Sequence, residues 1–244
     1  MLFEIGDVVW APLKSKDESC IQTGRRPAIV LHNNLIRHET VIIPMTTAHK
    51  KDLPTHIYVP ARECALTRDS IALCENITSI ESEILSIGLR LNVKESMPDV
   101  WNNIKKGVSI QISSQKIWNK QLFSPLLCEN GYKWGDVISV TTSVDELRYG
   151  LVISNNWSNR TSSNLTIVSL KKCIGVSKDN LQIYLSDENG NCKACIVDNE
   201  CESIYSVEKK SVLKTGYYLS NRDERKKIEQ WISGFIPMRN LAAT

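Results

Sequence analysis

The chain has 244 residues, with 30 Lys and Arg against 27 Asp and Glu, a formal net charge of +3. Its size suits one large domain or two ordinary ones, and 42% hydrophobic with 23% charged residues is a globular composition. The near balance of charge excludes a polybasic nucleic-acid tail. MLFEIGDVVW has no basic leader and no window nears the ~18 apolar residues of a membrane span, so a cytoplasmic protein without membrane contact is expected.

In chain order, the first predicted strand is GDVVWAPL at 6–13, a β-branched run of strand length. PAIVLHN at 27–33 follows GRR, with Pro27 expected to begin its strand because it lacks an N–H. TVIIPMT at 40–46, HIYVPA at 56–61 and SIALCENITSI at 70–80 read as further strands. MPDVWNNIKKGVSIQISS at 97–114 reads as a helix, with Val100, Ile104, Val108 and Ile112 at steps of four and Asp99 near its start. Residues 119–132, NKQLFSPLLCENGY, carry Pro125 and Gly131 as breakers and read as a linker.

Beyond the linker the pattern returns. IGDVVW at 5–10 is echoed by WGDVISV at 134–140, and PAIVLHNN at 27–34 by YGLVISNN at 149–156. TVIIPM at 40–45 is echoed by TIVSLK at 166–171, and IALCENITSI at 71–80 by ACIVDNECESI at 194–204. SNRDERKKIEQWISGFI at 220–236 reads as a closing helix, with Ser220 or Asn221 as its cap and an acidic first turn. An ordered repeat of this kind predicts two domains, 1–118 and 133–244. The expected fold is mainly β (α+β): two tandem SH3-like small β-barrels, each closed by a C-terminal helix. Trp10, Trp118, Trp134 and Trp231 recur in matching places and are expected in the core.

Eight scattered cysteines suit reduced, buried thiols. Only CKAC at 192–195 has metal-type spacing; zinc there would need two more ligands, with Cys173 and Cys201 nearby, so neither metal nor cofactor is expected. Cations concentrate at 24–51, where Arg25, Arg26, Arg37, Lys50 and Lys51 face Glu39 alone, and His32, His38, His49 and His56 lie in or near that window. On residue type alone, Arg25 and Arg26 fit either a solvated turn at Gly24 or a phosphate site.

The ordered set GDVVW, GRRPAIVL, PMTT, DLPTHIYV and RDSIALCENITSIESEIL resembles the MazF/PemK family of toxin ribonucleases over nearly all of 5–115. The second copy resembles it more faintly, through the repeat. The resemblance implies a small barrel that pairs with a second copy. It also implies a metal-independent endoribonuclease toxin of a type II toxin-antitoxin system. Its partners would be single-stranded RNA or mRNA and a cognate antitoxin. Attack by a ribose 2′-OH would leave a 2′,3′-cyclic phosphate and a 5′-OH. The family's functional arginine falls on Arg26 and its threonine on Thr46, with Gln22, Arg25, Thr47, His49 and Lys50 expected on the substrate. A guanidinium fork suits the phosphorane charge, and a threonine hydroxyl suits an oxyanion-hole donor. Arginine, with a pKa above ~12, is a poor base; His49 or His32 titrates in the right range, although the resemblance requires no histidine.

Two departures bear on substrate placement: Ile21 stands where the family usually has an acid, with Glu18 three residues upstream, and Thr78 replaces a basic residue. In the second copy Arg148 aligns with Arg26 and Tyr149 with Pro27, and counting from Thr40 and Thr166 sets Lys172 against Thr46. One competent site is therefore expected, in the first copy, with the second completing the groove as an intramolecular pseudo-dimer. The alternative is a catalytically inactive RNA- or protein-binding regulator.

Overall fold

The computed structural model describes residues 3–13, 24–34, 38–48, 50, 53–61, 66–112, 131–141, 147–156, 158–172, 181–197 and 203–235. The described residues are mainly β, arranged as two seven-stranded sheets with a few helices. The first sheet holds β1 (Asp7–Leu13), β2 (Gly24–Asn34), β3 (Glu39–Thr46), β4 (His56–Val59), β5 (Ser70–Leu73), β6 (Thr78–Glu81) and β7 (Ser86–Asn92). Its order is β4-β5-β3-β2-β1-β7, with β6 also on β3. Two helices follow, α1 (Val93–Ser96) and α2 (Pro98–Ile112).

The second sheet holds β8 (Asp136–Thr141), β9 (Leu147–Val152), β10 (Asn164–Lys172), β11 (Gln182–Ser186), β12 (Cys192–Val197), β13 (Ile204–Glu208) and β14 (Val212–Tyr218). The short α3 (Ser158–Thr161) precedes β10, and α4 (Arg222–Phe235) follows β14. The order is β12-β11-β14-β8-β9-β10-β13, and β12 also pairs with β10, so these pairings return to their starting strand. No such closing pair joins β4 to β7 among the described residues.

Three elements differ from the sequence expectation. β2 begins at Gly24, so Arg25, Arg26 and Pro27 are strand residues, with Pro27 paired to Trp10. The β2–β3 pairs end at Ala28↔Pro44, where neither neighbouring proline can donate to the ladder. The run at 70–80 breaks into β5 and β6 around a 3-10 turn at Cys74–Asn76. Strand β7 has no counterpart among the predicted strands; its SIGLRLN lacks the dense β-branched pattern.

Alternation along the strands divides the core. Val8, Ile29, Val41, Ile43 and Met45 point to one face of the first sheet, into a cluster that continues through Val168, Leu170, Ile183 and Ile204 of the second. Ile104, Val108 and Ile112 of α2 and Ile228 and Ile232 of α4 pack into the same cluster. Val9, Ala11, Ala28, Val30 and Ile42 form a smaller cluster on the opposite face. Trp101 and Trp134 are in the large cluster and Trp231 packs against it, while Trp10 is half-buried; Trp118 lies outside the described residues. Asn221 caps α4, its Oδ1 accepting from the Asp223 N–H at 2.8 Å. Gly6, at φ 98°, has no room for a Cβ, which would meet Asn92 Oδ1 at 2.5 Å.

The seam between the sheets is polar as well as apolar. Asn164 Nδ2 donates to Asn76 Oδ1 at 3.0 Å, and the Ser203 N–H and hydroxyl donate to the Glu39 carboxylate at 3.2 and 3.3 Å. Ser206 Oγ donates to the Ile77 carbonyl at 3.3 Å, and the Ile204 N–H donates to Ser79 Oγ at 3.4 Å. Gln111 Nε2 donates to Thr166 Oγ1 at 2.8 Å and its Oε1 accepts from Ser158 Oγ at 2.5 Å. Glu39, Gln111 and Thr166 are fully buried, and burial of polar groups is tolerated only with such partners. Among the described residues, no helix is long and apolar enough to cross a membrane.

Candidate active site

The geometry around Arg26 follows from ladder register. Arg26 pairs with Ala11 of β1, and its side chain lies on the face of Ala28 and Val30, away from the large core. Continuing the β2–β3 register two residues past Ala28↔Pro44 sets Arg26 directly across from Thr46. Thr46 shares its face with Ile42, the same face as Arg26. Small Ala11 thus flanks Arg26 on one side and Thr46 on the other, at one end of the sheet. Here β3 passes its bonding to β5, through Met45↔Ala72 and Thr46↔Ile71.

Arg26 is half-buried, but Thr46 is only 3% exposed. Thr46 Oγ1 accepts from the Ala48 N–H at 3.1 Å, which leaves the hydroxyl proton as its remaining donor. Contact between that hydroxyl and a substrate therefore requires local opening at the strand end.

The other expected site residues separate. Arg25 points to the opposite face from Arg26, and its Nη2 donates to Ser86 Oγ of β7 at 2.6 Å. Thr47 is exposed and Lys50 half-buried just past β3, while Gln22, Ile21 and His49 lie outside the described residues. Thr78 pairs with Ile42, on the Arg26 face but four residues along β3 from Thr46. His32 stands six residues along β2 from Arg26, roughly 20 Å at ~3.3 Å per residue, beyond direct proton transfer. Burial lowers its pKa from the ordinary 6.5.

His56, unassigned in the sequence reading beyond its place in the cluster, is bonded instead to Glu75, Nε2 to Oε1 at 2.6 Å. Among the described residues, no group of three or more His, Cys, Asp or Glu side chains is placed to hold a metal.

The corresponding strand end of the second sheet is built differently. Val30 aligns with Val152; they pair with Ile42 and Ile167, so Ile42 aligns with Ile167 and Thr46 with Lys171. This corrects the count from Thr40 and Thr166, which had selected Lys172. Extending the Leu170↔Tyr149 register by one residue sets Arg148 across from Lys171. Where the first sheet has a guanidinium beside a hydroxyl, the second has two cations.

Residues 4–111 match the family described as PemK-like, MazF-like toxin of type II toxin-antitoxin system. The chain is similar to endoribonuclease EndoA of Bacillus subtilis (strain 168), 34% identical over 90 residues that cover 35% of this chain and 77% of that protein. Among solved structures, toxin MazF-mt6 of Mycobacterium tuberculosis aligns at 23% identity over 41% of this chain and 94% of that one, with a TM-score of 0.30. On the strength of the family match and the similarity to EndoA, the chain belongs to the PemK/MazF-like toxin family.

Proposed function

We propose that the chain is a metal-independent endoribonuclease toxin that cleaves single-stranded RNA at the Arg26 end of the first sheet. The observation that supports this reading is the β2–β3 register, which, continued two residues past Ala28↔Pro44, sets Arg26 across from Thr46, in a chain similar to an endoribonuclease. In the proposed reaction a ribose 2′-oxygen attacks the neighbouring phosphorus as its proton leaves. The P–O5′ bond breaks, and the products are a 2′,3′-cyclic phosphate and a 5′-OH that has gained a proton. The Arg26 guanidinium holds two phosphate oxygens and offsets the added charge of the phosphorane. The Thr46 hydroxyl donates a hydrogen bond to the same group and stays neutral. Arg26 binds in this reading and serves as neither acid nor base.

The two sheets act in this reading as small barrels, 1–118 and 133–244 joined by 119–132, paired as an intramolecular pseudo-dimer. Reciprocal seam contacts support it. Thr78 and Tyr205 pair with the aligned Ile42 and Ile167, so Asn76 aligns with Ser203 and Glu39 with Asn164. Asn76 bonds Asn164, and Ser203 bonds Glu39: each residue meets the counterpart of the other's partner. The Ser206–Ile77 and Ile204–Ser79 bonds exchange in the same way. Such exchange is the signature of a two-fold interface. A cytoplasmic setting and a tight-binding antitoxin belong to this reading.

The burial of Thr46 favours one second reading, a non-cleaving RNA- or protein-binding regulator. One experiment separates the two: 5′-end mapping of a long RNA incubated with purified protein and EDTA. Discrete 5′-OH ends that vanish in Arg26→Ala and Thr46→Ala are expected. Intact RNA with the wild-type protein, or identical ends from both variants, overturns the nuclease reading.

A further inference from the structure

A second concave site lies on the inner face of the second sheet, on the side of Tyr149 rather than of its neighbour Arg148. It is a cavity of about 250 Å³. Leu170, Leu185 and Cys195, buried members of the large core, form its floor. Two tyrosines from different strands wall it, Tyr149 of β9 and Tyr217 of β14, both half-buried. Between them stands Lys193 of β12, its Nζ 5.3 Å from the centre of the Tyr149 ring and 5.5 Å from that of Tyr217. Lys171 and Lys172 also line it, and among the described residues no carboxylate does.

The chemistry of this lining is selective. Aromatic faces take a flat ring, and every nucleobase has a π-face. Three lysines, with no acid among the described lining residues, favour a ligand with an anionic group at the rim. A cation already held over two ring faces adds to any stacked partner that brings its own negative charge. The volume falls below the ~300 Å³ lower end of drug-sized pockets, which suits one base rather than a folded segment.

We propose that this cavity binds one nucleotide, its base against Tyr149 and Tyr217 and its phosphate on Lys193 and the rim lysines, without cleaving it. Among the described residues its lining has no arginine, so in this proposal it holds and does not cut. Within the nuclease reading, on which the RNA source of the nucleotide rests, it anchors a stretch of substrate apart from the Arg26 end. The same chemistry accepts a free mononucleotide, which would then act as an effector.

The test uses the full chain carrying Arg26→Ala and Thr46→Ala, so that binding is read whether or not the wild type cleaves. Affinities for AMP, UMP and a fluorescein-labelled five-nucleotide RNA are measured by calorimetry and anisotropy. Into this background go Tyr149→Ala, Tyr149→Phe and Lys193→Glu, each checked for folding by circular dichroism. Tyr149→Ala and Lys193→Glu are expected to weaken binding by roughly tenfold or more, while Tyr149→Phe retains it, since the ring and not the hydroxyl does the stacking. An RNA oligomer bound more tightly than the mononucleotides assigns the site to the RNA chain; equal affinities assign it to free nucleotide; either supports the site. Binding unchanged in folded Tyr149→Ala, no binding of any probe, or displacement of the probes only by an acidic peptide overturns it.

Discussion

The two strand ends at β2–β3 and β9–β10 share a backbone plan and differ in what they can do. Extended past its last rung, the first ladder sets Arg26 across from Thr46; the second, extended by one rung, sets Arg148 across from Lys171. A hydroxyl beside a guanidinium supplies a neutral donor next to a fixed cation, suited to a phosphorane that gains charge. A lysine in the hydroxyl's place supplies more attraction for phosphate in its ground state as well, and ground-state binding does not lower a barrier. The same change repels the neighbouring arginine. Retaining an arginine is therefore a weaker sign of activity than retaining the pair, and the two sheets of one chain offer that contrast side by side.

Mutations can break or sharpen this contrast. The largest effect is expected for Arg26→Ala, a loss of roughly 10²–10³-fold in cleavage rate on a labelled RNA, as for other preorganised oxyanion donors. Arg148→Ala in the second sheet should stay within roughly threefold of wild type; comparable losses in both would abolish the asymmetry. Next comes Thr46→Ala, with a loss near the lower end of that range, roughly 10²-fold, and substantial recovery in Thr46→Ser because serine restores the donor. Rates from Thr46→Ser that match Thr46→Ala would remove the hydroxyl from the chemistry.

At the seam, Glu39→Asn puts into the first sheet the residue that the second carries at the aligned rung. The shorter, neutral side chain leaves the Ser203 N–H short of its acceptor, at a cost of roughly 1–3 kcal/mol in urea unfolding. The smallest effect concerns pH. Burial lowers the folded pKa of His32, so on acidification the unfolded chain takes the proton first. Stability then falls as pH drops below the ordinary 6.5 toward the folded value. His32→Gln should lose less Tm than wild type between pH 7.5 and pH 5, and a steeper loss in the variant would reverse the sign.

Much of the fold was legible because its strands are compact β-branched runs, and α2 announced itself through Val100, Ile104, Val108 and Ile112. Strand β7 was not, since Gly88 and Arg90 dilute its pattern and pairing with β1 decides it. The 3-10 turn at Cys74–Asn76 was hidden inside a continuous apolar run; there the Glu75 carbonyl accepts from Ser206 Oγ at 2.8 Å, a contact 131 positions distant. For the site, the family resemblance pointed to Arg26 and Thr46, and it takes the register, extended past Ala28↔Pro44, to set them across from each other. Register also exposed the slip at Thr40 and Thr166: two identical letters stand on neighbouring rungs. With a side-chain period of two, one rung moves a residue to the other face of the sheet. Tyr149, by contrast, drew notice only as the residue that broke a match to Pro27, and its role at the inner cavity depends on Lys193 and Tyr217 from strands far along the chain.

The fully buried Glu39 carboxylate, held by a serine 164 positions later, has a genetic corollary. A stop codon or frameshift after the first sheet would remove that serine and the downstream part of the shared core. It would yield a polypeptide whose sticky apolar flank lies open to water and chaperones. The first sheet is therefore expected not to keep its shape alone, since downstream residues complete its core and hold its buried acid.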